Sequence, residues 1–331
     1  MTGSGGPASI HEVAVVGAGL MGHGIALTYA LDGHPVRLHD AEEAALDAAP
    51  ERVAGALETM VGAGVVTDDE ADAALDRLAA VDDLAAAVAD ADLVTEAVTE
   101  DVDVKREVFG RLDDHAPPDA VLATNTSGLS IDGIAEPVAD RSRVLGTHWF
   151  NPPYVVPLVE IVRGEATADD AVARVRDLLD AAGKEPVVVR EDVPGFVGNR
   201  IQLAMTYEAL SLLERGVASA ADIDRAVKAG FGFRLPLMGV FEKLDQSGLD
   251  VHRDVESYLM PDLDRGTEPS GVLDDLLSAG HAGVKSGKGV YDWSDRSTED
   301  VARERDRALF DMLALYEDAV DDPPPANYRP E

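Results

Sequence analysis

The chain has 331 residues, room for two domains with sizeable cores, and sets 63 Asp plus Glu against 28 Lys plus Arg, a formal charge of −35. That charge excludes nucleic acid as a partner, and the lack of cysteine excludes disulfides, thiolate metal sites and cysteine nucleophiles. No apolar run reaches the length of about 18 residues that a membrane span needs, and Met1 to Ile10 lacks the basic and apolar regions of a secretion signal, so the expected location is cytoplasmic.

Val13 to Val16 is short, apolar and β-branched, as a strand buried on both faces of a parallel sheet should be. Gly17, Gly19 and Gly22 follow at G-x-G-x-x-G spacing, ahead of a helix expected over Leu20 to Leu31. In such a turn the first glycine permits the bend, the second lets backbone approach a pyrophosphate, and the third lets helix and strand pack closely. A second strand, Pro35 to Leu38, leads to Asp40, placed to hold the adenosine ribose hydroxyls. An acid there favours NAD, because the 2′-phosphate of NADP would meet its charge.

Glu42 to Val61 and Asp68 to Ala80 read as two helices of an insert that interrupts the strand and helix alternation. Between Gly62 and Asp103 there are thirteen acids and one base, Arg77, yet alanine and leucine recur among them at helical spacing. This predicts an acidic solvated surface that repels itself and is relieved by concentrated salt, as in a halophilic host. The next strands are Leu93 to Val98, Ala120 to Asn125, Val144 to Phe150, Val155 to Val162 and Pro186 to Arg190, with helices at Leu84 to Ala89, Val104 to Asp113, Ser130 to Ala135 and Asp169 to Ala182. The expected fold is α/β, a Rossmann-type, doubly wound and mostly parallel sheet over residues 1–190. Strand-like runs then disappear, and Gly198 to Arg215, Ser219 to Ala229 and Val301 to Tyr316 have helical periods. Residues 191–331 therefore form a second, smaller all-helical domain, with a frayed tail at Pro323 to Pro325.

Four polar residues fall at the ends of these elements, where a doubly wound sheet binds its ligands. They are Ser127 after the strand ending TNTS, His148 in GTHWF, Glu160 in PLVEIV and Asn199 after PGFVG. Histidine beside a carboxylate suits removal of a hydroxyl proton while hydride leaves the same carbon. His148 and Glu160 each interrupt an apolar strand, and the simplest account of two buried polar groups joined by a short loop pairs them. Ser127 and Asn199 have helix capping as a competing role. No metal site is expected.

The pieces VVGAGLMGHGIA, EAVTEDVDVKREVF, ATNTSGLSI, GTHWFNPP, VPLVEIV, VPGFVGNR, ERGVASAADIDRAVKAGFGFR and GVKSGKGVYDW together resemble the 3-hydroxyacyl-CoA dehydrogenase family from Val13 to Trp293. The resemblance implies a Rossmann domain followed by a helical dimerisation domain, hence a homodimer, with NAD as oxidant and a site in the cleft between domains. It makes His148 the general base, Glu160 its orienting carboxylate, Ser127 a hydrogen-bond partner of the substrate oxygen and Asn199 a substrate-positioning residue from the second domain. Around NAD it implies Leu20, Met21, Asp40, Glu100, Lys105 and Lys285. Neither lysine is found by reading the residues alone.

Two departures bear on the substrate. Acyl-CoA members carry lysines in the insert, where they meet the nucleotide part of CoA, whereas Glu42 to Val61 has Arg52 as its only base. They also carry a lysine before the LVE triplet, where this chain has Pro157, and NPPY with PLVE looks more like the L-gulonate 3-dehydrogenase and λ-crystallin branch. TNTSGLSI and GVKSGKGVYDW point to the acyl-CoA side. The expected small-molecule substrate is a 3-hydroxyacyl-CoA, with a free hydroxy acid, or a non-catalytic NAD-binding module, as alternatives.

Overall fold

The computed structural model describes residues 9–319, so the tail expected at Pro323 to Pro325 lies outside the described residues. The chain divides into two compact units after Arg200, against an expected boundary near 191.

The first unit is a doubly wound α/β sheet of eight strands: β1 Val13–Val16, β2 Val36–His39, β3 Leu78–Ala80, β4 Leu93–Glu96, β5 Val121–Thr124, β6 Val144–Trp149, β7 Leu158–Arg163 and β8 Glu185–Val189. Their spatial order is β3-β2-β1-β4-β5-β6-β7-β8. The pairs from β3 through β6 are parallel, β7 runs antiparallel to β6, and β8 is parallel to β7. Every residue of β1, β4, β5 and β6 is buried, which is why these strands read as mostly apolar runs in which Glu96 and His148 stand out. Helix α1, Gly22–Leu31, is buried along nearly its whole length. One core of the unit joins β1, β4 and β5 to residues such as Phe109, Leu112, Ile131 and Ile134. Burial of this apolar surface is the main stabilising contribution, at about 25 cal/mol per Å².

The insert has three helices, α2 Glu43–Asp47, α3 Ala49–Gly62 and α4 Asp68–Arg77, where two are expected. Pro50 stands in the first turn of α3, a position that suits proline and restarts the helix after Ala48. Thr67 and Glu70 form a capping box that starts α4. Leu78 to Ala80, expected as helix, instead extends the sheet beside β2. The unit is completed by α5 Leu84–Val88, α6 Val102–His115, α7 Ile131–Ile134 and α8 Asp169–Ala181.

The second unit is helical. Helix α9, Gly198–Glu214, crosses the division, and α10 Ala220–Ala226, α11 Val240–Ser247, α12 Leu249–Leu259, α13 Gly271–Ser278 and α14 Thr298–Ala319 follow. The stretch expected as helix to Ala229 leaves α-helical geometry after Ala226, in a π-turn broken at Gly230. Among the described residues from 201 onward, only Ser211, Ser270, Asp306 and Phe310 are buried, while Leu203, Phe233 and Phe241 are largely exposed. Its described residues bury no apolar core of their own.

Candidate active site

The glycine turn sits between the ends of β1 and β4. Gly17 has φ +107°, and a side chain there would press on the Ala97 carbonyl. A side chain at Gly22 would strike the Gly17 carbonyl at 1.6 Å, so strand and helix approach more closely than any other residue permits. At Gly19 a side chain would meet nothing within 4 Å, which leaves the open approach that a pyrophosphate needs. Met21 precedes α1 without a side-chain cap, so no side chain competes with an anion for the helix start, although the His23 N–H already donates to the Gly19 carbonyl at 3.3 Å. Leu20 is exposed beside them.

Asp40, just after β2, accepts the Ala18 N–H at 2.6 Å and the Glu42 N–H at 2.9 Å. Arg52 of α3 donates to the Ala18 carbonyl at 2.9 Å, a contact that its place in the sequence does not announce. His23, on α1, lies 2.7 Å from the Gly19 carbonyl, and burial lowers its pKa so that the ring stays neutral. These residues fit a dinucleotide: an open glycine turn, an uncapped helix start and an acid at the end of β2.

Ser127 and Asn199 come together. Asn199 Nδ2 donates to the Ser127 carbonyl at 2.9 Å, although Asn199 belongs to the first compact unit rather than the second. Neither acts as the competing cap: Ser130 caps α7, and Asn199 lies inside the first turn of α9. The Ser127 N–H donates to Glu100 at 2.6 Å. Lys105 is fully buried and salt-bridged to Glu96 at 2.7 Å, with Glu100 at 3.5 Å. Lys285 lies in a short 3-10 turn of the second unit, Val284–Ser286.

His148 and Glu160 stand directly opposite each other in the antiparallel β6–β7 ladder, which puts both side chains on one face. His148 Nδ1 and Glu160 Oε2 are 2.7 Å apart, and both side chains are buried. Beyond β8 the chain turns through Phe196, at a left-handed φ of 50°, with its ring buried 5.7 Å from the His148 ring. That turn presents the Val197 and Gly198 N–H groups to Glu160 Oε1, each at 2.9 Å. Burial pushes the Glu160 pKa up, but the hydrogen bonds from His148, Gly198 and Val197 outweigh it and hold the carboxyl below its usual range. A charged Glu160 makes Nδ1 the donor, so the lone pair of the neutral ring lies on Nε2, which has no hydrogen-bond partner among the described residues. Such an arrangement is chemically able to act as a general base, with the ring tautomer fixed. No cluster of three His, Asp or Glu that could hold a metal occurs among the described residues.

Residues 12–193 match the NAD-binding domain of 3-hydroxyacyl-CoA dehydrogenase, and residues 195–293 match its C-terminal domain. The chain is 34 % identical over 308 residues to 5-formyl-3-hydroxy-2-methylpyridine 4-carboxylate 5-dehydrogenase of Mesorhizobium japonicum, covering 93 % of this chain and 99 % of that relative. A solved structure of an enzyme of that name, described as an NAD+-dependent dismutase, superposes with a TM-score of 0.87 over 93 % of this chain and 99 % of the other. The 3-hydroxybutyryl-CoA dehydrogenase of Mycobacterium tuberculosis is 39 % identical, covering 86 % and 98 %, and the L-carnitine dehydrogenase of Streptomyces coelicolor is 34 % identical, covering 93 % and 95 %. With both domains matched, this chain belongs to the 3-hydroxyacyl-CoA dehydrogenase family and is an NAD-dependent oxidoreductase.

Proposed function

We propose that the protein oxidises the 3-hydroxyl of a 3-hydroxyacyl-CoA such as 3-hydroxybutyryl-CoA to the ketone. The observation that carries this reading is the buried His148–Glu160 pair, with Nε2 free of partners among the described residues. His148 Nε2 takes the hydroxyl proton, and Glu160 stabilises the imidazolium that results. Bound NAD supplies the hydride acceptor. Ser127 donates to the substrate oxygen, and Asn199 holds the serine's backbone in place. Asp40 and the uncapped start of α1 hold the adenosine and pyrophosphate parts of the cofactor, whereas Lys105, fully buried, has no surface to offer it.

A specific observation favours a second substrate class. The insert over residues 42–80 has ten acids and two bases, and both bases are engaged with backbone: Arg52 with Ala18 and Arg77 with Ala30. It therefore offers no free cation to the phosphates of CoA, which suits a compact free hydroxy acid. Purified protein with NAD and a panel holding 3-hydroxybutyryl-CoA, L-gulonate and L-carnitine, followed as NADH absorbance, separates the readings. His148→Ala should abolish turnover while NAD still binds. Silence across the panel despite NAD binding would favour a non-catalytic module.

The second unit supports a homodimer. Helices that leave Leu203, Phe233, Leu237 and Phe241 in solvent and bury almost nothing need a partner of like character, because a helical unit of this size is stabilised by burying its apolar faces. Light scattering should give twice the mass of the chain. A monomer at micromolar concentration would overturn this assignment. No helix among the described residues is long and apolar enough to cross a membrane, and NAD-coupled oxidation suits the cytoplasm.

A further inference from the structure

Glu96 and Lys105 lie outside the catalytic pair, and both side chains are wholly shielded from solvent. An ion pair in such a place is expensive, because each charge leaves water and regains little unless its remaining hydrogen-bonding positions are filled. Here they are filled. Glu96 Oε1 accepts from Lys105 Nζ and from the Val98 N–H, each at 2.7 Å, and Oε2 accepts from Thr124 Oγ1 at 2.6 Å. Burial still pushes the Glu96 pKa up, opposed first by Lys105.

The contacts of Lys105 lead toward the site. Its ammonium also donates to the Asn125 carbonyl at 3.2 Å and the Val98 carbonyl at 3.5 Å, and it lies 3.5 Å from Glu100 Oε2. The other Glu100 oxygen accepts from the Thr126 hydroxyl at 2.7 Å and from the Ser127 N–H at 2.6 Å. Asn125 Oδ1 accepts the N–H of Trp149, the residue after His148, at 3.1 Å. Asn199 closes the set on the Ser127 carbonyl. Glu96 is thus the inner end of one network whose outer end is the backbone of the loop 125–127, tied to β6.

We infer that Glu96 is a positioning residue for the reaction: it takes up the Lys105 charge from the sheet side, so that Glu100 stays on the Ser127 amide and the serine loop keeps its place. This rests on reading Ser127 as the ligand of the substrate oxygen. The two carboxylates share one ammonium. When Glu96 becomes a neutral amide of the same shape, Glu100 is the only anion left for Lys105. Nζ then moves toward Glu100 Oε2, loosening both the Asn125 carbonyl and the Ser127 amide. When Lys105 becomes Met, Glu100 has no counter-charge and turns to solvent. A pair that only stabilised the sheet would behave differently, since replacing both buried charges by neutral groups is commonly harmless, whereas breaking one is not.

The test uses the full-length protein and the variants Glu96→Gln, Lys105→Met and the double variant, each in concentrated KCl. Melting temperature, backbone hydrogen exchange over residues 125–129, kcat, KM and calorimetric NAD affinity are measured. Each single variant should melt lower, and the double variant should regain most of that loss. Exchange at Ser127 should nevertheless rise about tenfold or more in all three, and kcat should fall about tenfold or more in each, with NAD affinity within about threefold of wild type in Glu96→Gln, whose altered residue lies outside the cofactor set. Recovery of Ser127 protection together with the melting temperature in the double variant would overturn the inference, as would wild-type exchange in Glu96→Gln. Faster Ser127 exchange in the three variants, with a wild type that oxidises none of the panel substrates, would refute the proposed reaction and leave the network's hold on the serine loop standing.

Discussion

Glu160→Gln is the sharpest perturbation of the catalytic pair, because the environment dictates how the new amide sits. Glu160 Oε1 faces two backbone donors, the N–H groups of Val197 and Gly198, and Oε2 faces His148 Nδ1. A glutamine has one acceptor oxygen and one NH2. Pointing the NH2 at two N–H donors would leave both unsatisfied in a buried site, at about 1–3 kcal/mol each. The oxygen therefore stays on Val197 and Gly198, and the NH2 faces His148. Nδ1 must then accept, which moves the ring proton to Nε2 and removes the lone pair that takes the substrate proton. The same inversion in a serine protease triad lowers kcat by about 10⁴. A loss of about 10³ to 10⁴, or about 4 to 5.5 kcal/mol of transition-state stabilisation, is expected here. The assay is NADH formation at saturating NAD with whichever panel substrate the wild type oxidises, alongside calorimetric NAD binding, which should be unchanged. A kcat within about threefold of wild type would refute the tautomer argument.

Three further outcomes follow from separate features. Lys184 donates to the Pro153 carbonyl at 2.7 Å, and burial lowers its pKa to about 8. A lysine whose folded pKa lies below its unfolded value of 10.5 gains folded stability as pH rises between the two, so wild type should gain up to about 3 kcal/mol over Lys184→Met from pH 8 to pH 10.5 in denaturant titrations. Glu160 shifts the same way in a lower pH window: a carboxyl held below its usual range stabilises the fold above about pH 4.5, and that contribution, absent in Glu160→Gln, should be lost in acid-unfolding titrations as pH falls through the folded-state pKa. At a formal charge of −35, the melting temperature should climb between about 0.1 and about 2 M KCl, and a fall would remove the basis for the halophilic reading.

The glycine turn and the buried strands were legible because parallel strands covered on both faces are apolar throughout, as in VAVV of β1 and VLAT of β5. The His148–Glu160 pairing was legible for a related reason, since each is a polar interruption of such a strand. The edge was harder to read. Leu78 to Ala80 has no β-branched residue and is at most half-buried, and only its ladder with β2 makes it a strand. β4 stops at Glu96 rather than Val98 because the Glu96 carboxylate takes the Val98 amide, a contact no periodicity encodes. The second unit showed its helical periods but not its missing core, since a period says which residues share a face and not what covers that face.

The contacts that sequence could not show explain why the catalytic carboxylate is set where it is. Glu160 is the only group on β7 that reaches three donors on two other elements: His148 on β6, and the Val197 and Gly198 amides beyond β8. The two backbone donors lie close to where α9 begins, so they carry the positive end of that helix toward the carboxylate. A carboxylate so held cannot rotate away when His148 becomes charged, and its preference for the anionic form makes imidazolium formation easier at the moment the proton is taken. Phe150 and Phe196 pack on the His148 ring at 4.4 and 5.7 Å and keep water from competing for the pair. The turn DVPGFVG therefore has a chemical role as well as a topological one. It supplies the fixed dipoles that let a buried glutamate stay charged, and a charged glutamate is what the proposed role of His148 as base requires.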